Sequence, residues 1–227
     1  MKYVKTAWDR TKWPPQKWIE HPDWQMEFIR AISTISVEKK FIFIHTGRTG
    51  GNAMHRGVFE KVIPDVVNSV NLEKPVNDVK WKDFFKFTFV RNPWDKMVSA
   101  YYLKKYGAWH VPLESLPPDV DFEYFIKNVA WDKEGTPRNY HWIEQQLAIK
   151  SVVDGSIWVD FIGKFENIEN GWKTVCEKIG INEKLPHTNE NRRKLSKPYQ
   201  EYYNDETRAI VEEKFKRDIE MFGYSFN

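Results

Sequence analysis

The chain has 227 residues, with 35 lysines and arginines against 32 aspartates and glutamates, a formal charge of +3. Its 41% apolar and 16% aromatic content is enough for one substantial core and excludes a disordered or low-complexity chain. So small a net charge suits a small anionic ligand and is no footprint of nucleic-acid binding. Cys176 is the only cysteine, which excludes an intramolecular disulfide and a cysteine-based metal cluster.

Residues 1–40 hold Trp8, Trp13, Trp18 and Trp24 among Pro14, Pro15 and Pro22. The prolines predict irregular structure packed as a strap across a sheet, with one or two tryptophans lining an acceptor pocket as the sharper alternative. Trp24–Ile35 reads as a helix with Phe28, Ile32 and Ile35 on one face. Met1–Trp24 has no apolar centre of the kind a signal peptide needs, and no run approaches the ~20 apolar residues that span a bilayer. The expectation is a soluble, cytoplasmic protein.

Phe41–Ile44, all aromatic or β-branched, predicts a buried strand. It runs into His45-Thr46-Gly47-Arg48-Thr49-Gly50-Gly51-Asn52, and a helix is expected from Asn52 onward. Strand, glycine-rich turn and helix is the arrangement that aims backbone N–H groups at an anion. The glycines allow positive φ and close approach, and Arg48 adds a forked cation. No Gly-Lys-Ser/Thr follows, so the turn is not the Walker loop that a nucleotide triphosphatase or kinase of that type requires.

Val66–Val70 reads as a strand and 71–82 as a polar run. Phe87–Val90 reads as another strand, ending at Arg91. Asn92 caps a following helix, Pro93 and Asp95 suit its first turn, and Met97, Val98, Tyr101 and Tyr102 recur at helical spacing. Two strands thus deliver cations to the carboxyl edge of a sheet, where open α/β folds bind ligands. Residues 106–120 read as a long loop, 121–128 and 139–150 as helices, and Ile157–Phe161 as a strand. A helix over Ile168–Ile179 is closed by Gly180. Leu185–Lys197 is a basic loop. A last helix from Asn204 or Asp205 places Ile210, Val211, Phe215 and Ile219 on one face. The pattern predicts an α/β fold in one domain over 1–227, with the strap at 1–40 and the main body at 41–226.

Two motifs carry a resemblance. Gly47-Arg48-Thr49-Gly50-Gly51-Asn52-Ala53 is similar to the Pro-Lys-Thr-Gly-Gly-Thr-Ser of the sulfotransferases that use 3′-phosphoadenosine 5′-phosphosulfate. Arg91 to Asp95 and Ser99 to Tyr101 match that family's Arg-Asn-Pro-Trp-Asp and Ser-Ala-Tyr nearly unchanged. Residues 161–167 and 198–226 resemble it more loosely. The likeness is strongest to the carbohydrate O-sulfotransferase branch and its small bacterial relatives. It implies a P-loop-like three-layer sandwich, with a central mainly parallel sheet flanked by helices.

The resemblance also implies roles. Arg48, Thr49, Gly50, Gly51, Asn52 and Ala53 would hold the 5′-phosphosulfate of the donor. Arg91 and Ser99 would hold the 3′-phosphate, and adenosine 3′,5′-bisphosphate would be the product. Arg192, Arg193 and Lys194 are candidate phosphate or adenine contacts, or a solvated charge run. The acceptor would be a hydroxyl or amine of a carbohydrate or small molecule, with no metal, nucleic acid or membrane involved. Asn52 and Ala53 replace Thr-Ser and remove two hydroxyl donors. Arg48 replaces lysine and acts by charge and hydrogen bonds alone. The family's histidine upstream of the Arg-Asn-Pro strand is missing, since 64–85 contains none. His141 is the first candidate for the general base, then Glu73 (or Asp65 or Asp78) and His55. A nucleotide-binding module without catalysis, or less readily a kinase, are the rival expectations.

Overall fold

The computed structural model describes residues 25, 28–29, 32–68, 81–106, 116–117, 119–131, 137, 139–186 and 197–227. Five strands are built from these: β1 (Ser33–Ser36), β2 (Phe41–Ile44), β3 (Val67–Asn68), β4 (Phe85–Val90) and β5 (Phe161–Lys164). They form one sheet in the order β3-β1-β2-β4-β5. β2 pairs parallel with β4, and β4 with β5, while β1 runs antiparallel to both β2 and β3. The three mutually parallel strands β2, β4 and β5 therefore end on the same edge of the sheet, and the loops after them gather there.

Alternation along the strands sorts side chains to two faces. Phe41, Phe43, Phe87 and Phe89 pack on Met54, Phe59, Trp172 and Val175. Ile35, Ile42, Ile44 and Val90 face the other way, onto Phe28, Ile143, Leu147 and Phe222. Helices thus cover both faces of a mostly parallel sheet, because strands apolar on both sides must be buried twice. A third cluster joins α3 (Pro93–Tyr106) to Phe122, Phe125, Trp142, Val211 and Phe215.

Several elements differ from the sequence expectation. Gln25, Phe28, Ile29 and Ile32 are helical, but Ser33–Ser36 is strand β1, so Ile35 belongs to the sheet and not to a helix face. The helix after the glycine turn is α1 (Gly51–Met54), a π-turn at His55–Phe59, and α2 (Glu60–Val62). The segment 139–150 is two short 3₁₀ turns, Tyr140–Trp142 and Gln145–Ala148, in place of one helix. The strand expected at 157–161 begins where that range ends. Ile157 makes only an isolated bridge to Lys150, and pairing with β4 selects Phe161–Lys164. Over 121–128, α4 (Phe122–Tyr124) passes into another π-turn at Phe125–Val129.

The helix α5 (Ile168–Ile179) ends on Gly180 at φ 69°. Asn204 caps α6 (Asp205–Lys214) by accepting from the Thr207 N–H. α7 (Lys216–Phe222) follows after a break at Phe215.

Candidate active site

The turn after β2 is shaped by close approach more than by glycine φ. A Cβ on Gly47 would lie 2.6 Å from the backbone Cα of His141, and one on Gly51 would lie 2.0 Å from the His45 ring. Positive φ occurs at Gly50 (85°) and, unexpectedly, at Arg48 (68°). A non-glycine residue there costs on the order of 1 kcal/mol and persists only when its surroundings over-determine it. Those surroundings are visible. Arg48 Nε and Nη2 both donate to Ser99 Oγ, at 3.1 and 2.9 Å, and Arg91 Nη1 donates to the Arg48 carbonyl at 2.9 Å. The structure thus brings Arg48, Arg91 and Ser99 into one corner, from two strand ends and α3.

The side chain of Thr49 is fully buried and donates to the Thr46 carbonyl, so this residue offers a ligand its backbone only. Thr46 Oγ1 in turn donates to the Phe89 carbonyl and fixes the turn to β4. Gly51 and Asn52 precede the first bond of the helical run, made by Ala53 N–H to Gly50. Their N–H groups are those which α-helical geometry leaves open at an N-terminus. Asn52 is half-buried and Ala53 buried.

Arg91 is held at its backbone, at Nε, at Nη1 and on one face of its guanidinium. Its Nε donates to Asp95 Oδ2 at 2.8 Å, and its guanidinium lies 4.2 Å above the Phe165 ring. Its backbone N–H donates to Gln145 Oε1 at 2.8 Å, and its C=O accepts from Gln145 Nε2 at 2.9 Å. Asn92 caps α3 as expected, accepting from the Trp94 N–H. It also donates through Nδ2 to the Ser225 carbonyl and through its backbone to Glu166 Oε1.

Behind Gln145, Asp218 accepts from the backbone N–H groups of Gln145 and Gln146, at 2.7 and 2.8 Å, and from Gln145 Nε2 at 3.2 Å. Lys96, fully buried, donates to the Ile143 carbonyl. Burial pushes Asp218 up to about 6 against the pull of Lys96, and pushes Lys96 down to about 8 against the pull of Asp218 and Glu144.

The histidines separate by environment. His55, a candidate base, has Nδ1 against Thr34 Oγ1 at 3.2 Å and Nε2 against Glu60 at 3.0 Å. Nδ1 thus ties the helical run to β1, and Nε2 meets a carboxylate one turn on in the same run. His141 is buried, with its backbone against Gly47 and its N–H donating to Asn139. Asp65 caps the β1–β2 turn, accepting from Ser36 and Glu38, and is likewise committed. Glu73, Asp78, Arg192, Arg193 and Lys194 lie outside the described residues.

The residue that sequence reasoning missed is His45. Its half-buried ring stacks on Phe43 at 5.7 Å and fills the space beside Gly51. Burial, then the charges of His55 and Arg48, lower its pKa to about 4, so it is a neutral imidazole at physiological pH. Its position directly after a strand, two residues before the glycines begin to crowd, was the available signal.

Among the described residues no group of three or more His, Cys, Asp or Glu is placed to hold a metal ion, and no helix is long and apolar enough to cross a membrane.

A family model described as the sulfotransferase family matches residues 28–225. The chain belongs to the sulfotransferase family. As a sulfotransferase-family chain it is similar to carbohydrate sulfotransferase 11 of Mus musculus, 27% identical over 171 residues, covering 63% of this chain and 48% of that protein. Carbohydrate sulfotransferase 14 of Danio rerio is 25% identical, covering 63% of this chain and 44% of that protein. An uncharacterized protein of Archaeoglobus fulgidus is 31% identical over 107 residues, covering 45% of this chain and 72% of that protein. This family member spans about half the length of the carbohydrate sulfotransferases it matches. No solved structure matches it.

Proposed function

We propose that the chain transfers a sulfuryl group from 3′-phosphoadenosine 5′-phosphosulfate to a carbohydrate hydroxyl. The observation that carries this is the convergence of Arg48, Arg91 and Ser99 at the mouth of the glycine turn, in a chain whose family is sulfotransferase. The carbohydrate acceptor rests on the names of the relatives.

The corner fits an anion of this kind. It has two guanidiniums, one hydroxyl and the leading N–H groups of a helical run within a few residues of one another. Arg48 and the Gly51 and Asn52 N–H groups would hold the 5′-phosphosulfate. Arg91 and Ser99 would hold the 3′-phosphate. When bound, the donor supplies an activated sulfuryl group. The protein's contribution is to align it and to stabilise charge on the oxygens as one S–O bond forms and the other breaks.

His45 is the base this reading favours over His141 and His55. It is neutral, borders the turn, and makes no hydrogen bond through its ring among the described residues. A bound anion beside it would raise its pKa toward neutrality, where a base works best.

The test is a thermal shift with adenosine 3′,5′-bisphosphate against ATP and Mg²⁺, followed by turnover on a carbohydrate panel read by mass spectrometry. Stabilisation by the bisphosphate with sulfated product is expected. Preference for ATP and Mg²⁺ overturns the donor assignment, and binding without turnover favours a nucleotide-binding module. His45→Ala should abolish turnover and keep the bisphosphate shift. The same behaviour from His141→Ala, with His45→Ala active, moves the base to His141.

A further inference from the structure

We infer that Gln145, locked by Asp218, is a positioning residue that sets the Arg91 guanidinium for the 3′-phosphate. The inference rests on the donor assignment above and goes beyond it, because neither residue belongs to the two motifs that carry that assignment.

The argument starts from the backbone. Arg91 is the first residue past β4, where ladder pairing stops and the chain turns into α3. Its N–H and C=O would otherwise have lost their strand partners in a buried place, at a cost of roughly 1–3 kcal/mol each. One side-chain amide satisfies both, since Gln145 Oε1 accepts from the N–H and Nε2 donates to the C=O. Two bonds from one planar group fix both distance and twist, so the direction in which Arg91 leaves the backbone is set from 54 positions away in sequence.

The amide is itself fixed. Asp218, fully buried on α7, takes the Gln145 and Gln146 N–H groups and the Gln145 Nε2. Oxygen against donor and nitrogen against acceptor leaves one orientation of the amide. The guanidinium then has Asp95 at Nε, the Arg48 carbonyl at Nη1 and Phe165 beneath it. These three set its plane, and the Gln145 clamp sets its root. A glutamine buried only to fill space would need neither the paired bonds nor a carboxylate behind it.

The test compares two ligands on the full chain, adenosine 3′,5′-bisphosphate and adenosine 5′-phosphate, by isothermal titration. Their affinity ratio reads the 3′-phosphate grip alone. Gln145→Met keeps length and removes both bonds to Arg91; Asp218→Asn keeps volume and frees the amide, and serves if the first variant does not fold. The expected result is a ratio reduced about tenfold or more, the scale of one or two lost buried hydrogen bonds, with adenosine 5′-phosphate binding nearly unchanged. Parallel weakening of both ligands, or an unchanged ratio, overturns the inference and leaves a structural role. If the unmodified chain shows no preference for the bisphosphate, the donor assignment fails first and the inference falls with it.

Discussion

The imidazole of His45 occupies the space that any side chain at position 51 would need. The absence of a side chain at Gly51 leaves the room that this ring fills, in addition to the residue's place at the start of a helical run. Gly51→Ala should displace His45 and lower turnover by about a hundredfold, while costing on the order of 1–3 kcal/mol of stability from overpacking. Steady-state kinetics and a melting curve on the same preparation check it. A variant that melts lower but turns over normally would separate His45 from the chemistry.

Half-buried His45 and fully buried Asp218 give opposing pH dependences. His45, at about 4 in the folded chain against an ordinary 6.5, binds more protons when unfolded, so its contribution to stability rises with pH between about 4 and 6.5. Asp218, raised to about 6 from 3.8, binds more protons when folded, so its contribution falls as pH rises from 3.8 through about 6. The two offset one another in the native chain. His45→Gln leaves Asp218 alone, and its urea midpoint should fall more steeply than the parent's between pH 4 and 6. Parallel curves would contradict the environments described for both.

Arg48 sits in left-handed backbone that glycine adopts freely. Arg48→Gly should relieve strain of about 1 kcal/mol and offset much of the loss of the two half-exposed bonds to Ser99, so the melting temperature of the ligand-free chain should change little. Stabilisation by adenosine 3′,5′-bisphosphate should vanish, where the parent would gain ~2.7 kcal/mol at a hundredfold excess over Kd. A large loss of intrinsic stability would mean that the arginine is there for the fold.

Lys96 and Asp218 are both fully buried and of opposite charge. Lys96→Met alone should cost about 3–5 kcal/mol, because it leaves a buried carboxylate without its countercharge. Adding Asp218→Asn should recover a good part of that loss. Additive losses in chemical denaturation would show that the two charges do not sense one another.

How much of this was legible in the chain varies with the range of the interaction. β2, the glycine turn and α5 with its Gly180 cap were readable because each is decided within a few residues. β5 starts later than its local sequence suggests. The apolar run from Ile157 to Val159 looks like a strand, yet Ile157 is 54% exposed and Trp158 donates its indole N–H to Ala148. Pairing with Phe87–Val90, far away in sequence, chose Phe161–Lys164. The short apolar spacing around Ile35 fits either period, and antiparallel pairing with Ile42 decides for the strand. Arg48, Arg91 and Ser99 were visible as motif residues, but the left-handed arginine was not. That Thr34 and Glu60 engage the two nitrogens of His55 is not legible from its spacing to the glycine turn. Gln145 matters only through Arg91 and Asp218, neither of which is near it in sequence.

The corner at Arg91 and Asn92 is closed by Asp218 through Gln145, and by the Ser225 carbonyl, 133 positions beyond Asn92. High sequence separation of this kind slows folding, because a long stretch must be ordered before the contact repays the entropy of closing it. During synthesis the glycine turn and α3 emerge well before α7 exists to lock them. A nascent chain would therefore carry both arginines before the corner that positions them is closed, and affinity for the proposed donor would report folding through α7 rather than of the segment up to α3 alone.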